Sequence, residues 1–244
     1  MTNGVRIAAS GIMLVLLASC STASSGGPAP EPFTAYVADG KGTVTVFNTV
    51  TGTVLETIKA GDENRAIAIT PDARTAYVAD VSSDTVIPID IATRTPGKQI
   101  KAGKYPDGIA ITPDGKTAYV TSADSGTVTP IDTATNIAGR PVKAGAPPTA
   151  IAITPDGKTA YVTCSKGQHG SGTVTAIRLA TGAVARPVKV GAFPAAVAIT
   201  PDGKTAYVAS SLPNIVTPIQ TATDTAGIPI NAGLFPLAIA FTPG

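Results

Sequence analysis

A four-residue motif recurs five times along the chain, and this repeat limits the folds that the chain can adopt. Residues 34–37, 75–78, 117–120, 159–162 and 205–208 all read Thr-Ala-Tyr-Val. Successive tyrosines of the motif are separated by 41, 42, 42 and 46 residues. A period of about 40 to 45 residues that contains four short strands is typical of a β-propeller blade. The repeat therefore predicts an all-β fold of five blades.

Each period contains four strand-like runs separated by turn residues. In the second period these runs are residues 65–70, 75–80, 85–90 and 97–101. In three later copies, Thr-Pro-Asp-Gly separates the first two runs. In this sequence proline presets φ, aspartate bonds locally and glycine adopts a left-handed conformation. Because Ala73 replaces that glycine in the second copy, we expect its turn to be strained or differently formed.

The first strand of each period alternates small and large residues, as in Ala-Ile-Ala-Ile at residues 66–69. Side chains alternate between the two faces of a strand, so the large residues of one blade can fill the recess beside the alanines of its neighbour. Such a head-to-tail contact has to close into a ring or continue indefinitely. Residues 33–39 read as a second strand and residues 237–242 as a first strand. We therefore expect one propeller of five four-stranded blades, closed by pairing of the C-terminal strand with the first blade.

The N-terminal segment has the features of an export signal. Arg6 precedes an apolar run at residues 12–17, which is too short to span a bilayer as a stable anchor and is typical of a signal-peptide core. The run leads into Leu-Ala-Ser-Cys at residues 17–20, which resembles the bacterial lipobox. The resemblance implies cleavage after Ser19 and attachment of diacylglycerol to Cys20. The alternative interpretation is an ordinary secretory signal that carries a cysteine.

Lipidation of Cys20 predicts where the protein lies and how the chain is divided. Acyl chains would anchor it at the outer face of the bacterial cell membrane, because each buried CH₂ contributes about 0.8 kcal/mol. The predicted parts are a signal peptide at 1–19, the lipidated cysteine and a flexible Ser/Gly/Pro tether at 20–32, and the propeller at 33–244. Cys164 is then the remaining thiol, and we expect it to be a small buried residue.

The repeat resembles the YVTN-type β-propeller repeat family, in which a Tyr-Val strand follows a Pro-Asp-Gly-Lys turn and precedes a Thr-Val-x-x-Ile-Asp strand. The matching pieces are residues 77–80, 119–122 and 127–132, and the resemblance extends over residues 33–244. It implies a propeller and no particular activity. Members of the family often have seven blades, whereas this chain contains five copies of the repeat.

Composition and charge argue against several classes of partner. Lys and Arg number 18 against 16 Asp and Glu, and the formal net charge is +2, so no basic surface for nucleic acid is expected. His169 is the one histidine of the sequence and lies in a glycine-rich insertion, which argues against a His-rich metal site. Asp80 and Asp84 lack the dense spacing of a calcium loop. We expect a monomer with neither cofactor nor metal.

The loops that lead into each inner strand depart most from the repeat consensus. In a propeller these loops surround the mouth of the axial channel, and we call them the mouth loops: residues 62–65, 104–107, 146–149, 192–195 and 234–237. With His169 on a flap above them, they form a candidate ligand-binding face made of Arg65, Tyr105, Asp107, Phe193, Phe235 and His169. Exposed aromatic residues beside a few polar groups are typical of binding surfaces. The alternative interpretation is that the rings cap the interfaces between blades as core.

Two functions remain open from the sequence. The favoured one is a membrane-anchored binding or scaffolding module for a protein, peptide or cell-wall ligand, with no catalytic residue. The alternative is a hydrolase that resembles propeller lactonases and holds a metal at the channel mouth. As ligands for such a metal near the mouth, the sequence suggests Asp107 and Glu63.

Overall fold

The computed structural model describes residues 2–9, 12–19, 33–145, 147–165 and 171–242. Within these ranges the chain forms twenty-five strands in five antiparallel sheets, and it forms no helix. The described part of the chain accordingly offers no helix that is long and apolar enough to cross a membrane. An all-β fold with five blade-like sheets is therefore confirmed.

The first sheet, blade one, combines an N-terminal hairpin with the first copy of the repeat. Its order is β1 (Thr2–Ala9), β2 (Ile12–Ser19), β3 (Thr34–Ala38), β4 (Thr43–Asn48) and β5 (Val54–Lys59). The backbone of β2 lies along the inner edge of β3, and β4 lies along its other edge.

Blades two to five follow one plan, with an inner strand, a second strand, a third strand and a short outer edge. Blade two contains β6 (Asn64–Ile69), β7 (Thr75–Asp80), β8 (Thr85–Asp90), β9 (Thr95–Pro96) and β10 (Ile100–Lys101). Blade three contains β11 (Pro106–Ile111), β12 (Thr117–Ser122), β13 (Thr127–Asp132), β14 (Ile137–Ala138) and β15 (Val142–Lys143). Blade four contains β16 (Pro148–Ile153), β17 (Thr159–Ser165), β18 (Gly172–Arg178), β19 (Ala183–Val184) and β20 (Val188–Lys189). Blade five contains β21 (Ala192–Ile199), β22 (Thr205–Leu212), β23 (Ile215–Gln220), β24 (Thr225–Ala226) and β25 (Ile230–Asn231).

The outer edge of each of these blades is broken into two short strands, where the sequence predicts one. In blade two, Ile89 pairs with Pro96 and Val86 pairs with Ile100, so three residues of the outer edge face two residues of β8. Pro88 lies within this gap and has no N–H to donate to the outer edge. Its carbonyl instead accepts a hydrogen bond from the amide of Gly97 at 2.7 Å. Ala176 takes the place of Pro88 in blade four and accepts in the same way from Ala185 at 2.8 Å, so the break does not require proline. The expected strand at 97–101 is interrupted at its start.

Neighbouring blades pack as the alternation of the inner strands predicts. Ala66 and Ala68 of β6 are buried in one cluster with Ile109 and Ile111 of β11, the inner strand of the next blade. Tyr77 of β7 belongs to the same cluster and is fully buried. Inner strands contact one another in the order β2, β6, β11, β16 and β21. The core is thus a series of apolar layers between blades.

The second-strand tyrosines also bond to the next blade. Tyr77 Oη donates to Asn136 Oδ1 at 2.6 Å, and Tyr161 Oη donates to Asp224 Oδ1 at 2.6 Å. Burial raises the pKa of the Tyr77 hydroxyl to about 12, so it remains a neutral donor. Asn136 and Asp224 occupy equivalent turns with φ of 57° and 52°. Each tyrosine therefore links two blades through apolar packing and a hydrogen bond.

The turn at Ala73 is strained, as its sequence predicts. Its amide donates to the Thr70 carbonyl at 2.8 Å, which matches the bond from Gly115 to Thr112 at 2.8 Å. The φ of Ala73 is 56° and that of Gly115 is 74°. Ala73 thus adopts the left-handed conformation that glycine adopts at no steric cost.

Ring closure by the C-terminal strand is not confirmed. Residues 233–242 form no strand, and the inner edge of β3 is paired with β2 instead. The physical reason is that an edge strand presents one free row of N–H and C=O groups, which a single strand fills. In this conformation that edge is occupied by the strand at 12–19, which contains the run 12–17 interpreted above as a signal-peptide core.

Candidate functional site

Four of the five mouth loops, those of blades two to five, enter their inner strands through a β-bulge. In blades two to five, the pairing register shifts at the same place, between Asn64 and Ala66, Pro106 and Gly108, Pro148 and Ile151, and Pro194 and Ala196. A bulge turns the side chain of its extra residue away from the regular ladder, and such bulges are common beside active sites. The bulges bring Arg65, Asp107, Thr149 and Ala195 to equivalent places around the mouth.

Arg65 and Asp107 form an ion pair between blades two and three. Arg65 Nε donates to Asp107 Oδ1 at 2.9 Å, and the Asp107 side chain retains 17% of its exposure. Burial raises the pKa of the Asp107 carboxyl above its usual value of 3.8, while the hydrogen bond and charge of Arg65 oppose that rise. The pair thus combines a desolvated carboxylate with a guanidinium that bonds to it through Nε.

Tyr105 completes this cluster. The Arg65 guanidinium lies 5.7 Å from the centre of the Tyr105 ring, which is within the range of a cation–π contact. The Tyr105 backbone is left-handed, with φ of 56°, and its amide donates to Asp84 Oδ1 at 2.9 Å. Asp84 therefore fixes the loop that places Tyr105 beside Arg65.

Threonine hydroxyl groups lie at the mouth on blades three and four. Thr121 Oγ1 donates to the Thr149 carbonyl at 2.6 Å, which links β12 to the bulge of the next blade. Thr149 Oγ1 lies 2.9 Å from Thr163 Oγ1 and 3.3 Å from the Pro194 carbonyl. The mouth is thus polar from Arg65 to Thr149, and its hydrogen bonds connect four successive blades, two to five.

The other predicted site residues do not join this cluster. Phe193 in β21 is half-buried, and Phe235 after β25 is 62% exposed. Within the described ranges, neither ring makes an aromatic or cation–π contact with Arg65, Tyr105 or Asp107. His169 and Cys20 lie outside the described residues. The aromatic residues are therefore neither one continuous patch nor a fully buried cap.

The residues at the mouth do not fit a bound metal ion. Asp107 is held by a guanidinium, whose positive charge opposes a nearby cation, and Glu63 is exposed. In the described part of the chain, no group of three or more His, Cys, Asp and Glu side chains is arranged to hold a metal. We therefore derive no chemical step through a metal.

Asp80 and Asp84, the weak calcium candidates of the sequence, hold mouth loops instead. Asp80 is fully buried and accepts hydrogen bonds from the Glu63 amide at 2.9 Å and from Ser83 Oγ at 2.7 Å. Thr149 was missed, because its hydroxyl is unremarkable without the bulge that places it at the mouth. Cys164 is buried as expected, and burial raises the pKa of its thiol to about 11.

The five sheets and the bulged inner strands define a protein of the β-propeller class. The family model for the SMP-30/gluconolactonase/LRE-like region matches residues 33–166, which is more than half of the chain. The chain therefore belongs to this family. No curated protein is significantly similar to it in sequence.

Solved propeller structures support the same fold. A chain of Kuenenia stuttgartiensis hydrazine synthase is 26% identical with a TM-score of 0.72, covering 86% of this chain and 68% of that one. A functionally unknown protein from Desulfotomaculum acetoxidans is 15% identical with a TM-score of 0.70, covering 96% and 84%. A candidate 6-phosphogluconolactonase from Bacteroides uniformis is 17% identical with a TM-score of 0.68, covering 93% and 80%. These likenesses show the propeller fold, and the family match is the finding that favours the lactonase alternative over a pure binding module.

Proposed function

We propose that the protein hydrolyses lactones and that the Arg65–Asp107 pair is its reaction centre. The observation that carries this proposal is a desolvated carboxylate with a raised pKa, held 2.9 Å from a guanidinium at the mouth of a gluconolactonase-family propeller. A raised pKa brings a carboxylate closer to the range in which it accepts a proton from water.

The proposed reaction uses the two charged groups in separate roles. Asp107 accepts a proton from water, whose oxygen attacks the lactone carbonyl carbon. The N–H groups of Arg65 stabilise the negative charge that develops on the carbonyl oxygen. The ring C–O bond then breaks, and the departing alkoxide takes the proton back from Asp107. Water is consumed, a hydroxy acid is released, and both side chains return to their starting states.

Hydrolysis of gluconolactone, corrected for the spontaneous reaction, tests this proposal. Asp107→Asn should lower kcat by at least about 100-fold, since general-base catalysis contributes about 10² to 10⁴. The matched control is Asp224→Asn, because Asp224 also pairs with an arginine, Arg178, and its side chain is 15% exposed. The control should keep its activity, although it also loses an ion pair. Equal activity in wild type and Asp107→Asn would refute the assignment.

The second candidate is the binding module, and the exposure of Phe235 favours it. Phe235 is exposed, Phe193 and Tyr105 are half-buried on other mouth loops, and all three rings offer apolar area to a protein, peptide or cell-wall ligand. Replacing all three by Ser should weaken ligand capture at little cost in melting temperature. If the rings are core instead, each truncation should cost about 3 kcal/mol or more, and a large fall in melting temperature would refute the binding face.

We propose that the protein is exported and anchored at the outer face of the bacterial membrane through Cys20. The support is the Leu-Ala-Ser-Cys sequence after the apolar run and before the tether. Cys20→Ala should abolish incorporation of a labelled fatty acid, and equal incorporation in both proteins would contradict the assignment. The same reasoning divides the chain into residues 1–19, 20–32 and 33–244, with YVTN-type repeats in the last part.

We also propose that the exported domain is a closed ring of five blades in which residues 237–242 pair with β3. The alternation of residues 238–241, which read Ala-Ile-Ala-Phe, matches that of the other inner strands and supports this arrangement. Such a strand would cover the apolar edge that removal of residues 1–19 leaves open.

A further inference from the structure

Two segments of the chain can pair with the inner edge of β3. The first is β2, in which Met13 pairs with Ala38, Leu14 with Val37 and Val15 with Tyr36. In blade two the corresponding edge of β7 is filled by the inner strand β6. The N-terminal strand β2 therefore stands in the position of an inner strand.

The second segment is residues 237–242, and the connection that leads to it has the geometry of the other mouth loops. Phe235 has φ of 52°, and its amide donates to Asn214 Oδ1 at 2.9 Å. Tyr105, which precedes the inner strand β11, has φ of 56° and donates to Asp84 Oδ1 at 2.9 Å. The chain thus leaves blade five through the same turn that delivers β11 to blade three.

The far end of this segment also contacts blade five as an inner strand would. The Phe241 ring lies 5.5 Å from the Tyr207 ring, with an interplanar angle of 57°. In blade two the equivalent Tyr77 packs in one cluster with Ile111, which belongs to the inner strand of the next blade. Phe241 corresponds to Ile111 in the repeat, so this end of residues 237–242 contacts blade five as an inner strand would, while the segment pairs with no strand.

We infer that β2 and residues 237–242 occupy the inner edge of β3 in turn, and that removal of residues 1–19 exchanges one for the other. Since Ala66 pairs with Ala79, Ile67 with Val78 and Ala68 with Tyr77 in blade two, the equivalent partners of residues 238–240 are residues 38, 37 and 36. Those are the three residues that β2 now pairs. The edge has one row of free hydrogen-bonding groups, so the two segments exclude each other.

The exchange couples processing to ring closure, and it rests on the closed ring proposed above. Hydrolysis of the Ser19–Cys20 peptide bond, in which water adds across that bond, would release β2. Residues 237–242 would then pair with β3, and the neighbouring Leu234 and Phe235, now 82% and 62% exposed, would approach blade one. In the uncleaved chain, β1 contacts blade five at β21, and residues 237–242 pair with no strand of blade one.

Amide hydrogen exchange, measured on the full chain before and after cleavage, tests whether residues 237–242 replace β2. A protease site is placed in the tether of a Cys20→Ala protein, and amide exchange is followed at residues 36–38 and 237–242. Cleavage should slow exchange at 237–242 by at least about tenfold, while residues 36–38 stay protected throughout. Ile239→Asp should remove protection at 36–38 only after cleavage. Ile228→Asp, a control at a site that is 87% exposed, should change neither segment.

The contrary results separate the two proposals. If 237–242 is already protected before cleavage, or if Ile239→Asp exposes residues 36–38 in the uncut chain, the ring closes without exchange and the inference is overturned. If cleavage leaves both 237–242 and 36–38 unprotected, the closed ring itself is refuted, and the exchange with it.

Discussion

Blades two to four and the two end blades carry the same repeat but differ in how completely they are buried. Eleven large apolar side chains are exposed among the described residues, and nine of these belong to blade one or to blade five with its C-terminal extension. The ion pair of Arg65 and Asp107 lies between two complete blades, whereas Phe235 lies at the open end. The charged pair thus lies where the packing of blades is well buried, and the exposed ring lies where it is not.

The largest expected effect is the cost of opening the core between complete blades. Ile109 is 2% exposed and packs against Ala66 and Ala68, so Ile109→Ala should cost about 2 to 5 kcal/mol of unfolding free energy. Val54 in blade one is 58% exposed, and Val54→Ala should change stability by about 0.5 kcal/mol or less. Urea unfolding measures the free energy of unfolding of both variants. Equal losses would remove the distinction between complete blades and end blades.

A smaller effect is expected from the hydrogen bonds that link blades. Tyr161→Phe removes the donor to Asp224 and should cost about 1 to 3 kcal/mol. Tyr119→Phe is the matched control, since the turn residue equivalent to Asp224 in the next blade is Gly182, which has no side chain to accept a bond. Thermal melts should show a loss for Tyr161→Phe only. An equal loss in the control would mean that ring packing, rather than the hydroxyl, accounts for the effect.

The sequence predicts the features that depend on neighbours within one repeat. The period, the Thr-Pro-Asp-Gly turns and the packing of Ile109 and Ile111 against the alanines of the previous blade all follow from local pattern. The split outer edge does not follow from local pattern, because blade four has it although Ala176 stands there in place of Pro88. The pairing of β2 with the inner edge of β3 was also missed. Both β2 and residues 237–242 fit this edge, and the alternation of residues does not choose between them.

The residues of the candidate site were predictable from the repeat, whereas their burial was not. Arg65 and Asp107 stand out as opposite charges at equivalent loop positions, and their contact follows from the packing of adjacent blades. The burial that raises the pKa of Asp107 depends on a bulge, and the sequence has no marker for it. Phe193 and Phe235 were grouped with Tyr105 by alignment, yet their different exposure depends on where the ring is complete.

A turn of blade two offers a gain in stability. Ala73→Gly should stabilise the fold by about 1 kcal/mol, because glycine adopts the observed φ of 56° without steric cost. Gly115→Ala, the reverse change in the equivalent turn of blade three, should destabilise by a similar amount. Melting temperatures of the two variants should therefore move in opposite directions. A fall for Ala73→Gly would show that the alanine conformation carries no strain.

The smallest expected effect concerns the pH dependence of stability. The hydrogen bond from Thr112 Oγ1, at 2.6 Å, lowers the pKa of the Asp114 carboxyl, and Asp156 and Asp202 are held in the same way in their turns. A carboxyl with a lowered folded-state pKa stabilises the fold above its unfolded value of 3.8, and this contribution is lost as pH falls through the folded value. Asp107 acts in the opposite sense, since its pKa is raised. Melts at decreasing pH should show a net loss that Asp114→Asn reduces, and an unchanged slope in that variant would contradict this origin.

The pH profile of gluconolactone hydrolysis tests the central claim, that Asp107 is the base at the mouth. Because a base acts in its deprotonated form, the rate should rise with pH through an apparent pKa above the 3.8 of an ordinary aspartate. Asp107→Asn should abolish this rise together with most of the rate, while Asp224→Asn keeps both. An Asp107→Asn protein that retains the wild-type rate and the same acidic limb would contradict the account.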